Sequence, residues 1–161
     1  EGLDTQVLSY IFGQLRSDYV NLVRVGIPTV FLTEANNGCW HTVNDDIKFV
    51  DFKKLKRQSH IAFRIAAALT ETDAPPTFAP PSPSLATFTD AERVAGIVQR
   101  GLTDLSFLSV DDQARLGEID AVLQAIVADG PGAFDATDVG TLLQAAIDVV
   151  EAVRRVPCQK F

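Results

Sequence analysis

The stretch Gly26-Ile27-Pro28-Thr29-Val30-Phe31-Leu32-Thr33-Glu34, followed by Cys39-Trp40-His41-Thr42-Val43-Asn44-Asp45-Asp46, decides how the N-terminal half is read. Gly26 fits a helix stop and Pro28 prevents the helix from continuing, so the chain leaves a turn in an extended conformation. Residues 29–33 are a near-continuous apolar run, the pattern of a strand buried on both faces. The polar loop behind it carries one of the chain's 2 histidines, with a carboxylate, Asp45, four residues on. Open α/β sheets place their chemistry in loops at the carboxyl ends of parallel strands. The expected architecture here is therefore α/β, and His41 is the candidate metal ligand.

Upstream, Ser17-Asp18 reads as an N-cap pair for a short helix ending at Val25. Residues 3–16 carry Val7, Leu8, Ile11, Phe12 and Leu15 at helical spacing, although their β-branched and aromatic content also suits a strand; helix is the reading adopted. Downstream, 35–49 is a loop rich in Asn, Gly and Asp. A helix follows from its N-cap Asp51 to about Leu69, with the stripe Phe52, Leu55, Ser59, Ala62, Phe63, Ala66 and Leu69. A lone strand of the buried type cannot satisfy its own backbone donors and acceptors. The α/β part, residues 1–72, is thus incomplete by itself. A missing N-terminal half or a partner chain is expected to complete its sheet.

Residues 73–86 hold Pro75-Pro76, Pro80-Pro81 and Pro83, the composition of a semi-rigid extended linker. Beyond it, 87–161 carries three helical stripes, expected to pack as an all-α three-helix bundle. The first opens on the capping box Thr89-Asp90-Ala91-Glu92 and carries Val94, Ile97, Val98, Leu102 and Leu105. The second starts near Ser109 and carries Leu116, Ile119, Leu123, Ile126 and Val127. The third starts near Thr137 and carries Val139, Leu142, Leu143, Ala146, Val149, Val150 and Val153. Asp129-Gly130-Pro131-Gly132 ends the second helix, and Pro157 stops the third. Residues 129–138 lack the central glycine and terminal glutamate of a calcium loop, so they read as a helix–helix turn.

The net charge of -7 argues against nucleic acid, which needs clustered Lys and Arg to neutralise phosphates. The one basic cluster, Lys53-Lys54-Leu55-Lys56-Arg57, reads as a solvated helix face, as does His60. No apolar run reaches the roughly 20 residues that span a bilayer. There is no signal-peptide pattern and no methionine, as expected of a processed or excised chain. Cys39 and Cys158 are the only cysteines. They read either as a bridge pinning the tail to the histidine loop in an oxidising compartment, or as two free thiols in a cytosolic protein. The bridge is the preferred reading.

Three blocks occur in order: Ser17-Asp18-Tyr19, then Gly26-Ile27-Pro28, then Trp40-His41-Thr42-Val43-Asn44-Asp45. They are followed by Val50-Asp51-Phe52-Lys53-Lys54-Leu55. This set resembles the C-terminal end of the co-catalytic zinc aminopeptidases, a superfamily that also includes the glutaminyl cyclases and transferrin-receptor-type ectodomains. The likeness spans roughly the first 70 residues and leaves out the linker and the helical tail. Tyr19 stands where the family usually has histidine.

The resemblance implies a zinc exopeptidase with two metal ions per complete domain and a peptide substrate. His41 would be the one ligand supplied by this chain. Asp45 would orient its imidazole from outside the ligand set, and Trp40 would line the substrate pocket. The other ligands and the general base lie upstream in the family, so no catalytic residue is assigned and the chain alone is expected to be inactive. The expected location is secreted, periplasmic or at the cell surface, because a Cys39–Cys158 bridge would imply an oxidising compartment. Two alternatives stay open. One is a non-catalytic scaffold that uses the acidic helical bundle for interaction. The other is a glutaminyl cyclase-like acyltransferase, for which Trp40 is the only supporting residue.

Overall fold

The protein's structure is a computed structural model that describes residues 6, 8, 9, 17–33, 39–103 and 105–158. Five helices run along these residues: α1 Tyr19–Arg24, α2 Phe52–Thr70, α3 Phe88–Thr103, α4 Val110–Asp129 and α5 Ala136–Arg154. Short 3-10 turns occur at Ile47–Phe49, Pro83–Leu85 and Leu105–Phe107.

The core lies in the C-terminal half. Ala91, Val94, Ala95 and Val98 of α3 meet Leu116, Ile119, Leu123 and Ile126 of α4. Leu142, Ala145, Ala146, Val149 and Ala152 of α5 complete the cluster. These positions recur every three or four residues, so each helix presents one apolar stripe inward. The alanines of α5 let its backbone approach closely, while Leu123 and Leu142 fill the interior. Burying one such leucine stabilises the fold by about 2 kcal/mol. Leu8 also packs on this cluster.

The helix boundaries follow local chemistry. α1 ends in a Schellman arrangement: Gly26 takes φ 78°, its N–H donates to the Val23 carbonyl, and Ile27 N–H donates to the Leu22 carbonyl. The expected cap at its other end is not made; Asp18 is itself helical in conformation and its side chain caps nothing. α3 begins before the expected Thr89 box. Thr87 donates from both N–H and Oγ1 to Asp90, so the cap pair is Thr87 with Asp90. Ser109 caps α4 by accepting from Asp112 N–H. Gly130, with φ 80°, ends α4. Asp135 and Asp138 form a reciprocal capping box for α5.

The expected α/β sheet domain is not seen: the described residues are helix, turn and irregular chain, with no strand. Residues 27–33 have no regular secondary structure, so the strand expected over 29–33 is absent. Ile27, Val30, Phe31 and Leu32 are exposed. An apolar run fixes a preference for burial but not the partner that buries it, and a strand exists only as part of a ladder. The same holds for α2. Asp51 caps it as expected, through Lys53 N–H and Lys54 N–H, but none of its residues is buried. Ala62, Ala66 and Leu69 of its stripe, with Ile65, line a shallow apolar groove shared with Pro28, Val30 and Leu32. The helix expected over 3–16 falls almost wholly outside the described residues.

Candidate functional site

The histidine loop is built around Thr42. Its Oγ1 donates to the Cys39 carbonyl at 2.7 Å, and its N–H donates to the same oxygen at 3.0 Å. Its Oγ1 in turn accepts from Asn44 N–H at 3.2 Å, and its carbonyl accepts from Asp45 N–H at 3.1 Å. A hydroxyl that bonds the backbone two and three residues away is a turn-former in its own right. Thr42 therefore shapes the loop, a role the sequence signals by placing Thr and Asn two residues apart.

The fold of this turn drives His41 into the left-handed region, with φ 61°. It is the one non-glycine residue in that region among the described residues. Histidine visits this region more readily than most residues, yet the conformation still costs energy. The consequence is geometric. The imidazole lies flat on the Trp40 indole, with ring centroids 3.6 Å apart and planes 19° from parallel. Both side chains remain open to solvent, Trp40 at 40% exposure.

Behind His41 the loop is covalently fixed. Cys39 is 1% exposed and forms a disulfide with Cys158, beyond the end of α5. Ahead of it, Asp45 and Asp46 turn toward the start of α2. With Phe49, Val50, Asp51, Leu55 and Gln58 they line a small cleft. Asp45 makes no hydrogen bond to the His41 ring among the described residues. Asp46 pairs with Lys48 at 3.8 Å, a solvent-exposed contact of little energetic weight. Asp51 is engaged as the α2 cap; the backbone N–H of Lys54 leads the causes that hold its carboxyl below the usual range.

The structure thus brings Cys39, Trp40 and His41 together at one corner and sets Asp45 on the neighbouring cleft wall. His60 lies exposed on α2, away from this corner in sequence. Two buried carboxylates, Asp90 and Asp112, went unmarked as special in the sequence. Both serve packing. Asp90 holds the α3 cap, and Asp112 accepts from Ser109 Oγ at 2.7 Å and from Arg155 Nε at 3.0 Å. The hydrogen bond from Arg155 is the main cause that keeps the Asp112 carboxyl below its usual range.

Zinc needs three or four nitrogen, sulfur or oxygen donors in a tight shell. No group of three His, Cys, Asp or Glu residues is arranged to hold a metal among the described residues. Both cysteines are consumed in the disulfide. The described residues therefore do not fit a complete zinc centre by themselves; His41 offers a single exposed imidazole.

Cys39, Trp40, His41 and Asp45 all fall within one segment with a family likeness, whereas Cys158 lies beyond it. No curated protein and no solved structure matches the chain. Residues 3–66, less than half of the chain, match the model for peptidase family M28, so this segment is similar to that family.

Proposed function

We propose that the corner formed by residues 39–46 is part of the active site of a zinc-dependent aminopeptidase. The observation that carries this reading is the coincidence of the M28 segment with an exposed, geometrically fixed His41. In this reading His41 donates one imidazole nitrogen to zinc, and the remaining donors come from outside the described residues. Trp40, stacked on that imidazole, offers an apolar wall to the first side chain of a peptide substrate. Asp45 is close in sequence and lies on the adjacent cleft, from which it would orient the loop when the set of donors is complete.

The Cys39–Cys158 bridge supports an oxidising compartment for the protein: secreted, periplasmic or at the cell surface. The test is hydrolysis of leucine p-nitroanilide by the protein expressed in full, with and without a zinc chelator. Hydrolysis that stops with chelator and returns with zinc is the expected result. Absence of hydrolysis under zinc-replete conditions, or hydrolysis indifferent to chelator, refutes the reading and leaves a scaffold as the role of the segment.

A further inference from the structure

The helical tail lies outside the family segment, and its attachment to the His41 loop gives it a role. We propose that α3–α5 brace this loop, with the Cys39–Cys158 disulfide as the point of attachment and its reduction as the release. The proposal rests on the reading of residues 39–46 as part of the site.

The anchor end is rigid. Ala152 is buried in the helical core, Val156 is buried, and Pro157 stiffens the step to Cys158. Arg155 clamps the end of α5 to the first turn of α4 through Asp112. The loop end is equally short: Cys39 stands two residues before His41. The turn hydrogen bonds of Thr42, Asn44 and Asp45 close within the loop, so they shape it without placing it on the rest of the molecule. The tail holds the loop through the bridge and reaches it at a second atom: Cys158 Sγ lies 4.0 Å from the Asn44 carbonyl oxygen.

The bridge is addressable from one side. Cys39 is enclosed, whereas Cys158 is partly exposed. A dithiol reductant attacks Cys158 Sγ as a thiolate and forms a mixed disulfide, with Cys39 leaving as its thiolate. The reductant's second thiolate then displaces Cys158. The dithiol ends as a cyclic disulfide, and Cys39 and Cys158 gain two electrons and two protons between them. The loop keeps its internal turn but loses its tether to α5.

Amide hydrogen exchange of the full chain, before and after dithiothreitol, tests this directly. The oxidised chain and a Cys158→Ser variant serve as the two reference states. Exchange in the peptide spanning 40–46 is expected to accelerate by about tenfold or more on reduction, and equally in the variant, with helical circular dichroism retained. Unchanged exchange in 40–46 overturns the brace, and so does an acceleration that occurs only with loss of helical signal. Neither readout involves metal or substrate, so failure of the brace is distinguishable from failure of the peptidase reading.

Discussion

Ser9 and Asp90, 81 residues apart, are joined by two hydrogen bonds: Ser9 N–H donates to Asp90 Oδ1 at 2.8 Å and Ser9 Oγ donates to Oδ2 at 2.7 Å. The same carboxylate accepts from Thr87 N–H and Oγ1, so four donors converge on a side chain that is 2% exposed. Ser9 is thereby fastened to the start of α3. A buried charge so well solvated by protein donors is costly to remove, because each donor is left without its acceptor. Asp90→Ala is expected to lower unfolding free energy by about 3 kcal/mol, and Ser9→Ala by about 1 kcal/mol, read from urea midpoints. Equal midpoints for wild type and Asp90→Ala would show that this carboxylate does not hold Ser9 and Thr87.

The same groups set the acid limit of stability. Burial raises the Asp90 carboxyl, but the hydrogen bonds from Ser9 and Thr87 outweigh it and the net shift is downward. Asp112 is also held low, chiefly by the Arg155 hydrogen bond. A carboxyl with a depressed folded-state pKa contributes stability that is present above its unfolded value, about 4, and is lost as pH falls through the folded value. Stability is therefore expected to be flat with respect to these groups above about pH 5 and to fall steeply below about pH 4. The Asp90→Asn variant should show a shallower acid limb in thermal melts from pH 6 to pH 2. An unchanged slope would remove Asp90 from the account.

Core and exposed apolar positions separate cleanly. Leu123 is fully buried between the helices, whereas Phe63 on α2 is 72% exposed. Leu123→Ala should cost about 3 kcal/mol through lost transfer energy and the cavity left behind. Phe63→Ala should change stability by no more than about 0.5 kcal/mol. Chemical denaturation of the two variants side by side checks both values. A large loss for Phe63→Ala would mean that α2 is covered in solution.

That contrast also shows what the sequence could convey. The stripes of α3, α4 and α5 specify both periodicity and partner, because three consecutive amphipathic helices can bury one another. The stripe of α2 specifies a helix and its Asp51 cap, but nothing in 52–70 names the surface that should cover it. Residues 29–33 read as a buried strand for the same reason, and they form none because pairing depends on a second segment. At α3 two overlapping boxes compete, Thr87 with Asp90 and Thr89 with Glu92; the enclosed Asp90 carboxylate, which also takes Ser9, selects the first. In the histidine loop the order of Cys39, Trp40, His41 and Asp45 was legible. The left-handed backbone at His41 and the knot at Thr42 were not, because both depend on how the turn closes.

His41 carries a backbone cost that glycine would relieve. At φ 61° the side chain crowds its own carbonyl, which costs about 1 kcal/mol, so His41→Gly should leave stability unchanged or raised by up to that amount. It should also abolish the ring stack that shields one face of Trp40, the chain's single tryptophan, and so raise collisional quenching of its fluorescence by acrylamide. A clear loss of stability in His41→Gly would show that the imidazole holds the loop together rather than being held by it.

The central claim is that His41 gives its imidazole to zinc in a peptidase site. The most direct measurement is zinc bound per chain, by elemental mass spectrometry, on the protein expressed in full and on its His41→Ala variant. The account predicts bound zinc in the wild type and a fall in zinc affinity of at least about a hundredfold in the variant, with helical content unchanged. Equal zinc retention by both proteins, or no zinc in either after exposure to the metal, would contradict it.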